Sequence, residues 1–189
     1  LEDFTNWVNQ TNIFQYLGVH YVDLIYFITR AMPLKVMAVG THKLLKENNI
    51  NGYDTIHVMI KWELNDNSSF FSSHYTSWID PMSSTAMSHQ KIKLIGTSGI
   101  YDSDQKERGV SFTTDDEFCH INPYFSHLLV DTNGEYFING YGPDCITQFI
   151  LDIVWNDSHS KYYNNYASFA EALVSTAVSE AVSRSLEDG

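Results

Sequence analysis

Apolar positions recur at three- and four-residue steps over residues 12–31, where Phe14, Leu17, Tyr21, Leu24, Ile25 and Ile28 return to one face. That period predicts a helix. Asn12 suits its N-cap, and Met32-Pro33 is expected to stop it, because the residue before a proline avoids the α region. Beyond Pro33 the period shortens to two. Residues 34–45 alternate loosely. Residues 55–63 alternate cleanly, with Ile56, Val58, Ile60 and Trp62 on one face and Thr55, His57, Met59, Lys61 and Glu63 on the other. Asn51-Gly52 and Asn65-Asp66-Asn67 read as turns, and residues 69–78 as a further strand. A small polar loop is expected over residues 81–88. Strands follow at residues 91–96, 100–102 and 110–113, the first two joined by the turn Gly96-Thr97-Ser98-Gly99. Residues 115–142 look irregular, with short strands. Helical spacing then returns twice. Ile146, Phe149, Ile150 and Ile153 recur within residues 144–156, and Phe169, Leu173, Ala177 or Val178, Ala181 and Val182 within residues 168–186.

One helix, a run of hairpin-connected strands and two closing helices read as an α+β fold with an open, mainly antiparallel sheet. Helices that bracket a sheet in sequence can pack together on one of its faces. The other face then meets water, a partner chain or another domain. It carries His57, Met59 and either the Tyr75 set or the His74 set of the next strand, too apolar a mixture to be idle.

Composition narrows the function classes. The chain has 189 residues, of which 43% are hydrophobic and 18% charged, a globular balance. A chain of that size buries about 70% of its unfolded surface and needs no metal or disulfide staple. No run of about 18 apolar residues is present, so no membrane partner is expected. Twenty-three acids against 11 bases leave a net charge of −12, which repels phosphate backbones and argues against nucleic acid. Two cysteines, Cys119 and Cys145, suit a reducing, cytoplasmic setting. The chain opens on Leu1 without a signal segment and closes on Gly189 just past a helix, so a piece of a longer protein is expected.

Candidate chemistry concentrates in Gly18-Val19-His20-Tyr21-Val22-Asp23. His20 and Asp23, three apart on a helix, share a face. A carboxylate beside an imidazole can accept its N–H and fix its tautomer. Gly18, one turn earlier, leaves room for a backbone or a ligand to come close. The bland alternative is a helical pair that only bridges to a loop. Other chemistry has less support. The eight histidines are scattered and show no metal-ligand spacing, so no metal is expected. No G-x-S-x-G elbow and no phosphate-binding loop is present. Trp62 and Trp78 could stack on a sugar, but strand tryptophans more often fill a core or an interface.

The order of motifs resembles one family. Gly18-Val19-His20-Tyr21-Val22-Asp23-Leu24, followed by Ile28-Thr29-Arg30-Ala31-Met32-Pro33-Leu34-Lys35-Val36-Met37-Ala38, resembles the opening of the C-terminal domain of the glucose–fructose oxidoreductase, inositol dehydrogenase and rhizopine-catabolism (Gfo/Idh/MocA) family. Gln90-Lys91-Ile92-Lys93-Leu94-Ile95-Gly96-Thr97-Ser98-Gly99 is similar to that family's strand leading to a G-T-x-G turn. Phe169-Ala170-Glu171-Ala172-Leu173 and Glu180-Ala181-Val182-Ser183-Arg184-Ser185 are similar to its last helix.

The resemblance implies a two-domain enzyme. Its N-terminal Rossmann domain, absent from this chain, would hold NAD or NADP. Residues 1–189 would be the single C-terminal substrate-binding and oligomerisation domain, of the dihydrodipicolinate-reductase-like type, inactive alone. The open sheet face would build a homo-oligomer, and the small-molecule substrate would be a sugar, cyclitol or related polyol. His20 falls on the family's active-site histidine and Asp23 on an acid one turn later, which would orient it. Where the family often has an aspartate four residues before the histidine, this chain has Tyr16, which can hydrogen-bond but is no carboxylate at neutral pH. Tyr16, Gln15, Tyr75 and Trp78 are the expected substrate contacts. A non-catalytic, sugar-sensing regulatory domain of the same fold is the alternative.

Overall fold

The computed structural model describes residues 7–79, 89–104, 109–121, 127–155 and 168–188. The loop expected over residues 81–88, and Asn156 at the expected end of the third helix, lie outside the described residues. In chain order the helices are α1 (Val19–Thr29), α2 (Leu44–Glu47), α3 (Tyr141–Trp155) and α4 (Phe169–Asp188). The strands are β1 (Met32–Thr41), β2 (Thr55–Glu63), β3 (Ser69–Ser77), β4 (Lys91–Gly96), β5 (Gly99–Asp104), β6 (Gly109–Thr114), β7 (Phe118–Ile121), β8 (His127–Val130) and β9 (Tyr136–Asn139). The chain divides into two compact units, Leu1–Pro81 with Tyr166–Gly189, and Met82–Asn165.

In the first unit β2 lies between β1 and β3, antiparallel to both. Its alternation is the expected one: Ile56, Val58, Ile60 and Trp62 are fully buried, while His57 and Met59 are exposed. Residues directly opposite one another share a face. Val58 stands between Ala38 and His74, and His57 between Val39 and Tyr75. The open face is therefore the Tyr75 set, and His74 turns into the core.

The helical layer is built from the start of the chain and its end. Ile13, Phe14, Val22 and Ile25 pack with Val178 and Val182 of α4 against Ala38, Ile56, Val58, Ile60 and Trp62. Two expectations change here. The first helix ends at Thr29, because Arg30 adopts a left-handed conformation (φ 54°) while its N–H still bonds the Tyr26 carbonyl. Pro33 lies inside the edge strand β1, where its missing N–H is tolerated. In α4 the buried stripe is Val178, Ser179 and Val182, whereas Phe169 is 83% exposed and Leu173 is also exposed. The first turns of α4 are held instead by polar contacts: Glu171 caps Ser168 and pairs with Arg30 at the end of α1.

Residues 34–45 were expected as one strand, but β1 stops at Thr41 and α2 begins at Leu44. The cause is remote. The buried Asp54 carboxylate accepts the N–H groups of Lys43, Leu44 and Leu45 at 2.6, 2.8 and 2.8 Å, satisfying a helix start from outside it. Leu45 then joins Val8 and Ile50 in a small second core, against which Trp78 packs.

In the second unit β4, β5, β6 and β7 form an antiparallel sheet in chain order, and β8 and β9 form a hairpin. Gly96 pairs with Gly99 across the expected two-residue turn, and a Cβ on Gly99 would stand 2.7 Å from the Thr113 carbonyl oxygen. The apolar positions of α3, Ile146, Phe149, Ile150 and Ile153, are all exposed. No helix among the described residues is long and apolar enough to cross a membrane.

Candidate functional site

The first helix opens with a π-turn, Phe14–Gly18, in which the Val19 N–H reaches back to the Phe14 carbonyl. Residues Phe14, Gly18, Val22 and Ile25 face the core. Tyr16, His20, Asp23 and Phe27 form the complementary stripe and are all exposed. His20 thus stands outside the core, on the outer face of α1. Among the described residues no hydrogen bond or ion pair joins it to Asp23. Gly18 has a use other than the expected one. A Cβ there would collide with the Phe14 ring, so the missing side chain makes room for core packing rather than for a ligand.

The turn is tied down by a polar seam. Asn12 Oδ1 accepts the Gln15 N–H at 2.9 Å, and Thr11 Oγ1 donates to Gln15 Oε1 at 3.0 Å. Gln15 Nε2 and Asn12 Nδ2 both reach Ser183 Oγ of α4, each at 3.4 Å. Gln15 therefore serves the contact with α4. Beneath the turn, Phe14 meets His74 edge-on at 5.8 Å. Ser72 Oγ accepts from Trp62 Nε1 at 2.7 Å and lies 2.8 Å from His74 Nε2. Burial, with the nearby His57 adding to it, pushes His74 down to about 4, so this imidazole is neutral at physiological pH.

On the outer side, Tyr16 and Trp78 do come together. Their ring centroids are 5.3 Å apart at an interplanar angle of 38°. Trp7, which the sequence did not single out, completes the group, 5.5 Å from Tyr16 at 40° and 5.7 Å from Trp78 at 78°. Nothing local marks Trp7, because its partners lie 9 and 71 positions downstream (7 to 16 and 7 to 78). Tyr75 is not part of this group. It is 71% exposed on the open sheet face, 6.5 Å from His57, opposite to the face on which Phe14 meets His74. Met37, Val39, Met59 and Phe71 share that open face. Trp62 is fully buried and is a core residue.

The described residues do not form the strand–turn–helix cradle of a Rossmann dinucleotide site. No glycines stand at G-x-G-x-x-G spacing, and every strand pairing among the described residues is antiparallel, which leaves no βαβ crevice.

No protein-family model and no curated protein sequence matches the chain. Solved structures do. An oxidoreductase from Sinorhizobium meliloti superposes with a TM-score of 0.68 at 14% identity, covering 97% of this chain and 52% of its own. An aldose-aldose oxidoreductase from Caulobacter crescentus, complexed with glycerol, gives 0.67 at 10%, covering 97% and 49%. UDP-N-acetylglucosamine 3-dehydrogenase GnnA from Acidithiobacillus ferrooxidans gives 0.58 at 13%, covering 91% and 46%. The chain spans about half the length of these structures. Its α+β fold is the one that forms the C-terminal domain of Gfo/Idh/MocA-type oxidoreductases, as the motifs implied.

Proposed function

We propose that this chain is the substrate-binding and oligomerisation domain of an NAD(P)-dependent oxidoreductase acting on a carbinol carbon of a sugar, cyclitol or related polyol. One observation carries it: within a fold shared with oxidoreductases, His20 stands exposed on the outer face of the first helix, where the motif resemblance puts the active-site histidine. A dinucleotide held by a companion module would supply the hydride chemistry, accepting hydride from the carbinol carbon. The residues of this chain supply the proton and the grip. The His20 imidazole takes the hydroxyl proton as the carbinol becomes a carbonyl, and returns it in the reverse direction. Tyr16, one turn earlier on the same stripe, offers a phenol O–H to the substrate where a carboxylate would otherwise accept. Trp78 backs Tyr16. Asp23, on the same stripe, orients His20 once substrate and companion module are in place. Gln15 acts through the seam to α4 that fixes the π-turn. The open sheet face, with Met59 and Tyr75, is the oligomer surface.

In the full-length protein, His20→Ala lowers kcat at least about 10²-fold with cofactor binding retained. An unchanged kcat removes His20 from the mechanism. A specific observation favours a second reading, a non-catalytic sugar-sensing domain: nothing among the described residues orients the His20 ring. That reading expects sugar binding with no NAD(P)-linked turnover in the full-length wild type.

A further inference from the structure

We infer that Trp7, Tyr16 and Trp78 form a stacking subsite beside His20, which takes the C–H face of a neutral, cyclic carbohydrate and discriminates against open-chain polyols and phosphorylated sugars. This deepens the proposed function at the same site.

Trp78 packs against both core clusters, but the other two rings of the group stand outside them. Its neighbour Val8 is 1% exposed and fills the small core with Leu45 and Ile50, whereas Trp7 is 39% exposed and Tyr16 53%. Tyr16, four residues before His20, keeps more than half of its surface exposed, which a ligand can cover. The two tilts about Tyr16, 40° and 38°, add up to the 78° between the indoles. The three ring planes therefore share one direction, like pages opened about a single spine. Centroid separations of 5.3 to 5.7 Å are contact distances between rings. No space remains between them for an ammonium group, so the trio is not a cation cage, and a ligand can use only the outward ring surface.

Position says which ligand. Tyr16 and His20 are four residues apart on one exposed stripe, so a molecule lying on the Tyr16 ring has a hydroxyl within reach of the imidazole. A cyclic sugar or cyclitol carries both parts: a patch of C–H bonds for the rings and hydroxyls around the rim. An open-chain polyol has no such rigid face and loses more freedom on being flattened against the rings. A chain of net charge −12 disfavours a phosphorylated sugar at long range.

Saturation-transfer NMR on the full-length protein without dinucleotide tests this, with methyl β-D-glucopyranoside, myo-inositol, D-glucitol, glucose 6-phosphate and choline as probes. Expected is saturation of the C–H protons of at least one of the two neutral cyclic probes, with affinity at least about tenfold above those of D-glucitol and glucose 6-phosphate. Tyr16→Ala and Trp7→Ala each weaken that binding about tenfold, while Tyr16→Phe, which keeps the ring and loses only the phenol hydrogen bond, weakens it less than Tyr16→Ala does. Trp7 lies outside the core, so its variant keeps the inference testable if changes at Trp78 disturb folding. Failure of both cyclic probes to bind, equal binding of D-glucitol, choline as the preferred probe, or full binding by Tyr16→Ala each overturns the subsite. Its failure is separable from that of the proposed function: loss of turnover in His20→Ala with unaltered probe binding in Tyr16→Ala leaves the oxidoreductase reading standing and removes only the stacking role.

Discussion

Gly18 and His74 show how single positions acquire meaning from what lies beside them. A glycine one turn before a histidine suggests room for a ligand, yet the space over Gly18 is filled by the Phe14 ring. Gly18→Ala is therefore expected to cost about 1–3 kcal/mol by overpacking, read from urea unfolding of the full-length protein. His74 has the opposite history. It is one of two alternating sets in β3, and only its pairing opposite Val58 turns it inward. Its folded pKa, pushed down to about 4 from 6.5, means that the fold favours the neutral ring. The stability it contributes is fully present above pH 6.5 and is lost as pH falls from 6.5 towards 4, by up to about 3 kcal/mol. His74→Gln, which cannot charge, is expected to flatten the pH dependence of unfolding in that window. A slope equal to the wild type's would show that other groups titrate there.

At the scale of elements, period and punctuation made β2 and the body of the first helix legible, since each is written in consecutive residues. The Asn12 side chain does cap the Gln15 N–H, as a helix start requires. The π-turn at Phe14–Gly18 was not legible, because one residue of extra pitch does not change which positions are apolar. Nor was α2, whose N–H groups are satisfied by a carboxylate nine to eleven residues downstream. Asp54→Asn keeps one acceptor oxygen but loses the other and the charge. It is expected to cost about 2 kcal/mol and to speed amide exchange selectively at Lys43, Leu44 and Leu45. Uniform exchange across the unit would mean that the cap does not act locally.

For the whole molecule, the α+β class and the antiparallel pairing followed from the order of helical and alternating segments. The division of the described strands over sheets of three, four and two did not, because a strand's pattern names its faces but not its partner. The open face of the three-stranded sheet, with Met37, Val39, Met59, Phe71 and Tyr75 exposed, bears on assembly. Met59→Glu places a charge at the centre of that face. In the full-length protein it is expected to shift sedimentation from an oligomer to a smaller species without loss of helical signal. A wild type that sediments as a monomer removes the oligomer surface.

The sequence by itself determined that residues 12–31 begin the fold as a helix with Phe14 and Ile25 on its core face, because a 3.6-residue period is written in neighbouring residues. It did not fix the exact stripe: Val22 is fully buried and Ile28 is exposed, so packing settled which side meets the core and left His20, Asp23 and Tyr16 outward. Tertiary structure alone decided the company those residues keep. Trp7 and Trp78 are carried to Tyr16 by a small core around Val8, Leu45 and Ile50, Gln15 is drawn to Ser183, and Tyr75 is sent to the opposite side of the sheet. These are contacts between segments far apart in the chain. Hydrophobic burial selects them collectively, and no local pattern encodes them.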